Sequence, residues 1–149
     1  MKLLIDADGC PVVDIAIACA ARHGVPVLLL CDSAHHFARP GAQTLTFAKG
    51  PDSVDFALVN RIDPGDIVIT QDYGLAAMAL ARRARVLHQD GMRYTDDNID
   101  ALLLARHVAR KIRRGGGRLR GPAPRTHAQD EAFALALTQL LAQPPSPIR

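Results

Sequence analysis

The chain has 149 residues, 48% of them hydrophobic and 22% charged, with a formal net charge of +3. This length and apolar content suit one globular domain over residues 1–143 and exclude a disordered chain. No apolar run is long enough to cross a bilayer, and no basic stretch with a cleavage site opens the chain, so the expectation is a soluble cytoplasmic protein without a membrane partner.

The first stretch, Lys2 to Asp6, reads as a buried parallel strand: a short apolar run stopping at Asp6 and Asp8. Gly9 supplies a tight turn, and Pro11 opens a helix running to about His23, with Val12, Ala16, Cys19 and Ala20 as its apolar stripe. Gly24 and Pro26 end it, and Val25 to Cys31 reads as a second buried strand. Cys10, Cys19 and Cys31 form no CxxC pair; their odd number and apolar settings indicate reduced thiols. Asp32 to Ala42 is a loop whose adjacent His35 and His36 lack a third metal ligand, so surface or substrate contact is the expectation for them.

Gln43 to Phe47 alternates polar and apolar residues, a short strand nearer an edge, and Ala48 to Pro51 turns the chain. Asp52 to about Ile62 is a second helix, with Asp52 placed to act as its N-cap. Asp55 shares a face with Val59 and Ile62, so this acid borders the core and needs a basic or metal partner. Asp66 to Asp72 repeats the opening pattern, an apolar strand ending in Thr70 and Asp72. An alanine-rich helix follows from Tyr73 to about Arg83, then a fifth strand at Val86 to His88. Thr95 is placed as the N-cap of a further helix, whose apolar side is assigned to Ile99, Leu102, Leu103 and Ile112. Three glycines, 115–117, end it. Thr126 and Gln129 form a capping box for a last helix with Phe133, Leu137, Leu140 and Leu141 as its packing stripe, and a proline-rich, disordered tail is expected over 144–149. The element order predicts an α/β fold: a doubly wound, mostly parallel sheet of about five strands flanked by helices, with two C-terminal helices.

In such sheets ligands bind at the carboxyl edges of the strands. If the first and fourth strands are neighbours, Asp6, Asp8 and Asp72 converge with Asp55 close by. Carboxylates this close raise one another's pKa unless a cation lies among them, and hard oxygen ligands suit Mg2+ or Mn2+. Charge adds a second element. Between Arg106 and Arg125 there are eight basic residues and no acid, whereas the rest of the chain has ten basic against fifteen acidic residues. A concentrated basic segment on an acidic body points to a polyanionic partner. Together these features predict metal-assisted attack on a phosphodiester. Asp6, Asp8, Asp55 and Asp72 are the metal and catalytic candidates, Thr70 orients a water, and Asp52, Cys10 and Tyr73 are secondary. Lys49, Arg93, Arg110, Lys111, Arg113, Arg114, Arg118 and Arg120 are the candidates for holding backbone phosphates. With 4% aromatic residues, base-specific readout is not expected.

The blocks Asp6-Ala7-Asp8-Gly9-Cys10-Pro11, Gly65 to Ala76 and Arg93-Tyr94-Thr95 resemble the signature blocks of the YaiI/YqxD family, small bacterial proteins of unestablished function. The likeness runs from about Leu3 to the last helix. It implies a PIN-like domain, a class with many magnesium- or manganese-dependent ribonucleases, and hence an acidic metal site at Asp6, Asp8, Asp55 and Asp72, with RNA favoured over DNA as partner. Asp52 matches the first of the family's paired acids before the fourth strand. Two alternatives stand beside it. The opening Asp6-Ala7-Asp8-Gly9 also meets the DxDG motif of haloacid-dehalogenase-like phosphohydrolases, with Asp6 as nucleophile and Asp8 as general acid, although Pro11 leaves little room for their flap. The other is a non-catalytic nucleic-acid-binding protein.

Overall fold

The computed structural model describes residues 1–32, 38–50, 52–117 and 123–144. His35, His36, Pro51, Arg118, Arg120 and residues 145–149 of the tail lie outside these. The elements run β1 (Leu3–Asp6), α1 (Val13–Arg22), β2 (Val27–Asp32), β3 (Gln43–Phe47), α2 (Ser53–Val59), β4 (Ile67–Ile69), α3 (Tyr73–Ala81), β5 (Arg85–Leu87), β6 (Arg93–Tyr94), α4 (Ile99–Arg114) and α5 (His127–Ala142).

The strands form one six-stranded sheet in the order β3-β2-β1-β4-β5-β6, parallel except for β6, which runs antiparallel to β5. This is the doubly wound, PIN-like arrangement expected, with the predicted β1–β4 neighbourhood at its centre. The sixth strand was not foreseen: two residues carry no readable alternation, and Arg93–Tyr94 is a strand because it pairs with Leu87 and Val86.

Alternation along the strands divides the core. Leu3 and Ile5 of β1, Leu29 of β2 and Ile67 and Ile69 of β4 pack with α1 and α5 on one face. Leu4, Leu30, Val68 and Val86 pack with α2, α3 and α4 on the other. Each fully buried leucine or isoleucine contributes about 1.5–3 kcal/mol, so the central strands anchor both helical layers. At the last helix Thr126 Oγ1 accepts the Gln129 N–H while the Gln129 side chain accepts the Thr126 N–H, the expected capping box. Its stripe of Phe133, Leu137, Leu140 and Leu141 is buried as predicted.

Two assignments at α4 are corrected. Thr95 is not its N-cap; the helix starts at Ile99, and Asn98 Oδ1 instead accepts the Thr95 N–H at 2.9 Å, closing the turn before it. Ile112 does not share the inner face with Ile99, Leu102 and Leu103; it is exposed on the other side.

Gly91, in the turn between β5 and β6, has φ +91°, and a Cβ there would lie 2.8 Å from the Ala132 carbonyl oxygen of α5. Both the backbone angle and the approach of α5 require glycine. Gly91→Ala is expected to cost about 2–4 kcal/mol, read as a lowered urea midpoint; an unchanged midpoint would contradict the close packing of this turn on α5.

Candidate active site

The site starts from register. Ile5 of β1 pairs with Ile69 of β4, so the next residues, Asp6 and Thr70, stand side by side on the face that carries Leu4 and Val68. The Thr70 hydroxyl donates to Asp6 Oδ2 at 3.0 Å and accepts the Asp72 N–H at 3.0 Å. Thr70 is 2% exposed. Its hydroxyl is thus engaged by Asp6 and by the Asp72 N–H, and it positions Asp6 and the start of α3.

Past Asp6, the Ala7 N–H still donates to Leu30 O at 2.9 Å, extending the β1–β2 pairing. Gly9 then turns the chain at φ +71°. Asp8 Oδ2 accepts the Asp32 N–H at 2.9 Å, which ties the end of β1 to the end of β2. Asp72 is the N-cap of α3, its Oδ1 accepting the Gly74 and Leu75 N–H groups at 2.8 and 3.1 Å. Asp52 occupies the N-cap position of α2 in the left-handed conformation, φ +61°, but its side chain caps no N–H, so the helix-capping role expected for it is not realised.

These residues line one open cleft of about 550 Å³ at the carboxyl edge of the sheet: Asp6, Asp8, Asp52, Asp55, Asp72 and Tyr73, all foreseen, join Asp32, Gln71 and Arg106. Arg106 Nη1 reaches Asp72 Oδ1 at 3.3 Å. Two acids show the strain of gathering carboxylates. Burial chiefly, opposed by the Thr70 hydrogen bond and reinforced by the charges of Asp55, Asp72 and Asp8, pushes Asp6 up to about 7. Burial and the charges of Asp72 and Asp52, opposed by Arg106, push Asp55 up to about 6.

Among the described residues, no three histidine, cysteine or acidic side chains stand close enough together to hold a metal ion as placed. The four expected ligands thus share a cleft without forming a closed shell. The reason is local: Asp72 is drawn to its helix and to Arg106, Asp8 to the β2 backbone and Asp6 to Thr70. By donor type the cleft still fits a hard cation, since its charge-bearing ligands are all carboxylates and two of them are held toward the neutral form by mutual repulsion and burial.

The remaining candidates scatter. Tyr73 meets Tyr94 edge-on at 5.9 Å, and the Tyr94 hydroxyl donates to the Thr70 carbonyl at 3.2 Å, bracing the end of β4. Cys10 is half-buried against the α1–α5 core, and burial pushes its thiol up, which suits packing rather than reactivity. Lys49 is exposed beside Gly50 at the cleft rim. Arg110, Lys111, Arg113 and Arg114 are exposed on the last turns of α4. Arg93 is not brought to the cleft; it lines a hollow against α5 with Leu87, Gln139 and Gln143. Arg125, counted in the basic segment, is engaged by Asp90 at 2.6 Å and Asp130 at 2.7 Å.

Sequence reasoning passed over Asp32 and Arg106, although both left signals. Asp32 ends an apolar strand as Asp6 does. Arg106 lies seven residues after Ile99, on the stripe of Ile99, Leu102 and Leu103, where a cation needs an acidic partner.

The sequence profile of the uncharacterised YaiI/YqxD family matches residues 4–143. The chain is 54% identical to a UPF0178 protein of Exiguobacterium sibiricum over 143 residues, 96% of this chain and 98% of the relative. It is 47% identical to one of Ruminiclostridium cellulolyticum, over 92% and 90% of the two chains, and 40% identical to one of Enterococcus faecalis, over 95% and 97%. No solved structure matches the chain. With a profile match over almost its whole length and relatives of this identity, the chain belongs to the YaiI/YqxD family.

Proposed function

We propose that this protein is a divalent-metal-dependent nuclease acting on phosphodiesters, with RNA as the favoured substrate. The observation that carries this reading is the convergence of Asp6, Asp8, Asp55 and Asp72 on one cleft at the carboxyl edge of the sheet, two of them pushed up to about 7 and about 6. Asp6 and Asp55, with Asp8 and Asp72, would hold Mg2+ or Mn2+, which when bound polarises a phosphoryl oxygen and lowers the pKa of a coordinated water. Thr70 fixes the Asp6 carboxylate, and Arg106, on Asp72, places a guanidinium where phosphoryl charge develops. Lys49 at the rim and the exposed arginines ending α4 supply cations for a strand's backbone phosphates, and Tyr73 offers a ring at the same cleft.

The test is cleavage of end-labelled RNA and DNA with Mn2+, Mg2+ or chelator, wild type against Asp6→Asn. Metal-dependent cutting that falls at least about a hundredfold in the variant is expected. Cutting that survives chelation overturns the metal mechanism. Salt-sensitive binding without turnover moves the reading to a nucleic-acid-binding protein, and turnover of phosphomonoesters alone moves it to a phosphohydrolase with Asp6 as nucleophile.

A further inference from the structure

Helix α4 turns one face to the sheet, and no described residue from another element lines the groove on its other face. Ile99, Leu102 and Leu103 pack into the core, and Arg106 reaches the cleft. On the opposite face Ala101, Leu104, Ala105, Val108, Ala109 and Ile112 line a shallow, almost purely apolar groove. Leu104 is 63% exposed, Val108 47% and Ile112 42%. Ala101, Ala105, Val108 and Ile112 are spaced four, three and four apart, the seam spacing of two helices packed side by side. The alanines permit an interaxial distance of about 8 Å.

Charge identifies the occupant. Exposed Asp96 and Asp97 precede α4 and exposed Asp100 lies in its first turn, and its last turns carry exposed Arg110, Lys111, Arg113 and Arg114. The outer stripe thus runs from an acidic end over an uncharged apolar stretch to a basic end. A second copy of the same helix running the opposite way complements it throughout. Asp97 and Lys111 lie seven residues on either side of Leu104, so a twofold axis beside Leu104 and Ala105 sets Asp97 of each copy against Lys111 of the other. A parallel pairing would oppose like charges, and an anionic lipid surface would meet the acidic end. A nucleic-acid backbone would find no cation along the apolar middle.

We propose that two copies of this chain associate through the outer face of α4, antiparallel and about a twofold axis at Leu104–Ala105. The apolar stripe from Ala101 to Ile112 spans about 17 Å, which makes the contact a small one of the reversible class. The interface uses Lys111, itself a candidate for holding backbone phosphates, and leaves Arg106 in the cleft, so its test reads the oligomeric state and not cleavage.

Sedimentation equilibrium of the full chain from about 1 to about 100 µM tests it through mass action. A monomer–dimer equilibrium is expected, weakened at least about a hundredfold by Leu104→Glu. Leu104 is exposed, so circular dichroism should show the same fold in the variant. Asp97→Lys alone should also weaken the dimer, and adding Lys111→Asp should restore it, an effect confined to antiparallel pairing. A chain monomeric throughout the range, a dimer indifferent to Leu104→Glu, or a double swap that fails to restore association would each overturn the proposal. So would monomers that instead co-sediment with anionic vesicles through this face.

Discussion

Replacing Asp6 with asparagine is expected to stabilise the metal-free protein while abolishing the proposed cleavage. Asp6 lies mostly buried between Thr70 and the other cleft acids, and its carboxyl is pushed up to about 7. In the unfolded chain the same group titrates near about 4. Between those values the folded state binds more protons than the unfolded one, so stability falls as pH rises from about 4 to about 7, and the whole penalty is present above that window. Three pH units set a ceiling of roughly 4 kcal/mol, and relaxation of the open cleft reduces the expected gain to about 2 kcal/mol. For a chain of this size that is a rise in Tm of roughly 4–8 °C at pH 8. Asparagine keeps a carbonyl oxygen to accept the Thr70 hydroxyl and removes the charge. Thermal melts in chelator at pH 8 and pH 5 should show the gain at pH 8 and a smaller one at pH 5. A variant no more stable than wild type at pH 8 would mean that Asp6 is not held against its charge. Stability gained by removing this carboxylate is the trade-off that the proposed cation site predicts.

A large loss of stability is expected at the opposite edge of the sheet. Asp66 is 2% exposed and gathers three groups. Its Oδ1 accepts the Lys2 N–H at 3.0 Å, and its Oδ2 accepts the Asp63 N–H at 2.8 Å and the Lys2 ammonium at 2.6 Å. Asp63 takes the same ammonium at 2.8 Å, and both acids push Lys2 up against the opposing effect of burial. Beside them the Ile67 N–H donates to Lys2 O at 3.1 Å, through which this corner joins β1 to β4. Asp66→Ala leaves two N–H groups without their acceptor and the half-buried ammonium with the exposed Asp63 alone, at a cost of about 3 kcal/mol. A Tm lower by roughly 6–12 °C is the expected reading. Asp63→Ala, at an exposed carboxylate, should change Tm little, and equal effects of the two substitutions would contradict the buried role of Asp66.

Much of this architecture is legible in the chain because it is local. The apolar runs of β1, β2 and β4 stop at polar residues, so strand ends and their acids can be read without a fold. Gly9, Gly24 and the Thr126–Gln129 box mark turns and caps by backbone chemistry alone. What escapes is set by phase and by distant neighbours. The α4 stripe was assigned as one face containing Ile112, whereas the helix has two apolar faces, and only packing against α3 and the sheet distinguishes them. Arg93 looks like a member of a nucleic-acid-binding array and Arg125 like part of the concentrated basic segment, yet one faces α5 and the other is held by Asp90 and Asp130.

The sequence by itself determines the acids at the ends of β1 and β4, the hydroxyl between them and the alternation of buried strands, because each follows from residue types a few positions apart. Only the tertiary structure decides that Ile5 pairs with Ile69, so that Asp6 meets Thr70, that α2 delivers Asp55 to the same cleft, and that Arg106 crosses from α4 to Asp72. These are contacts across 34 to 64 residues. Their partners are chosen by strand order and by which helix faces bury their apolar stripes, and no local periodicity carries that information.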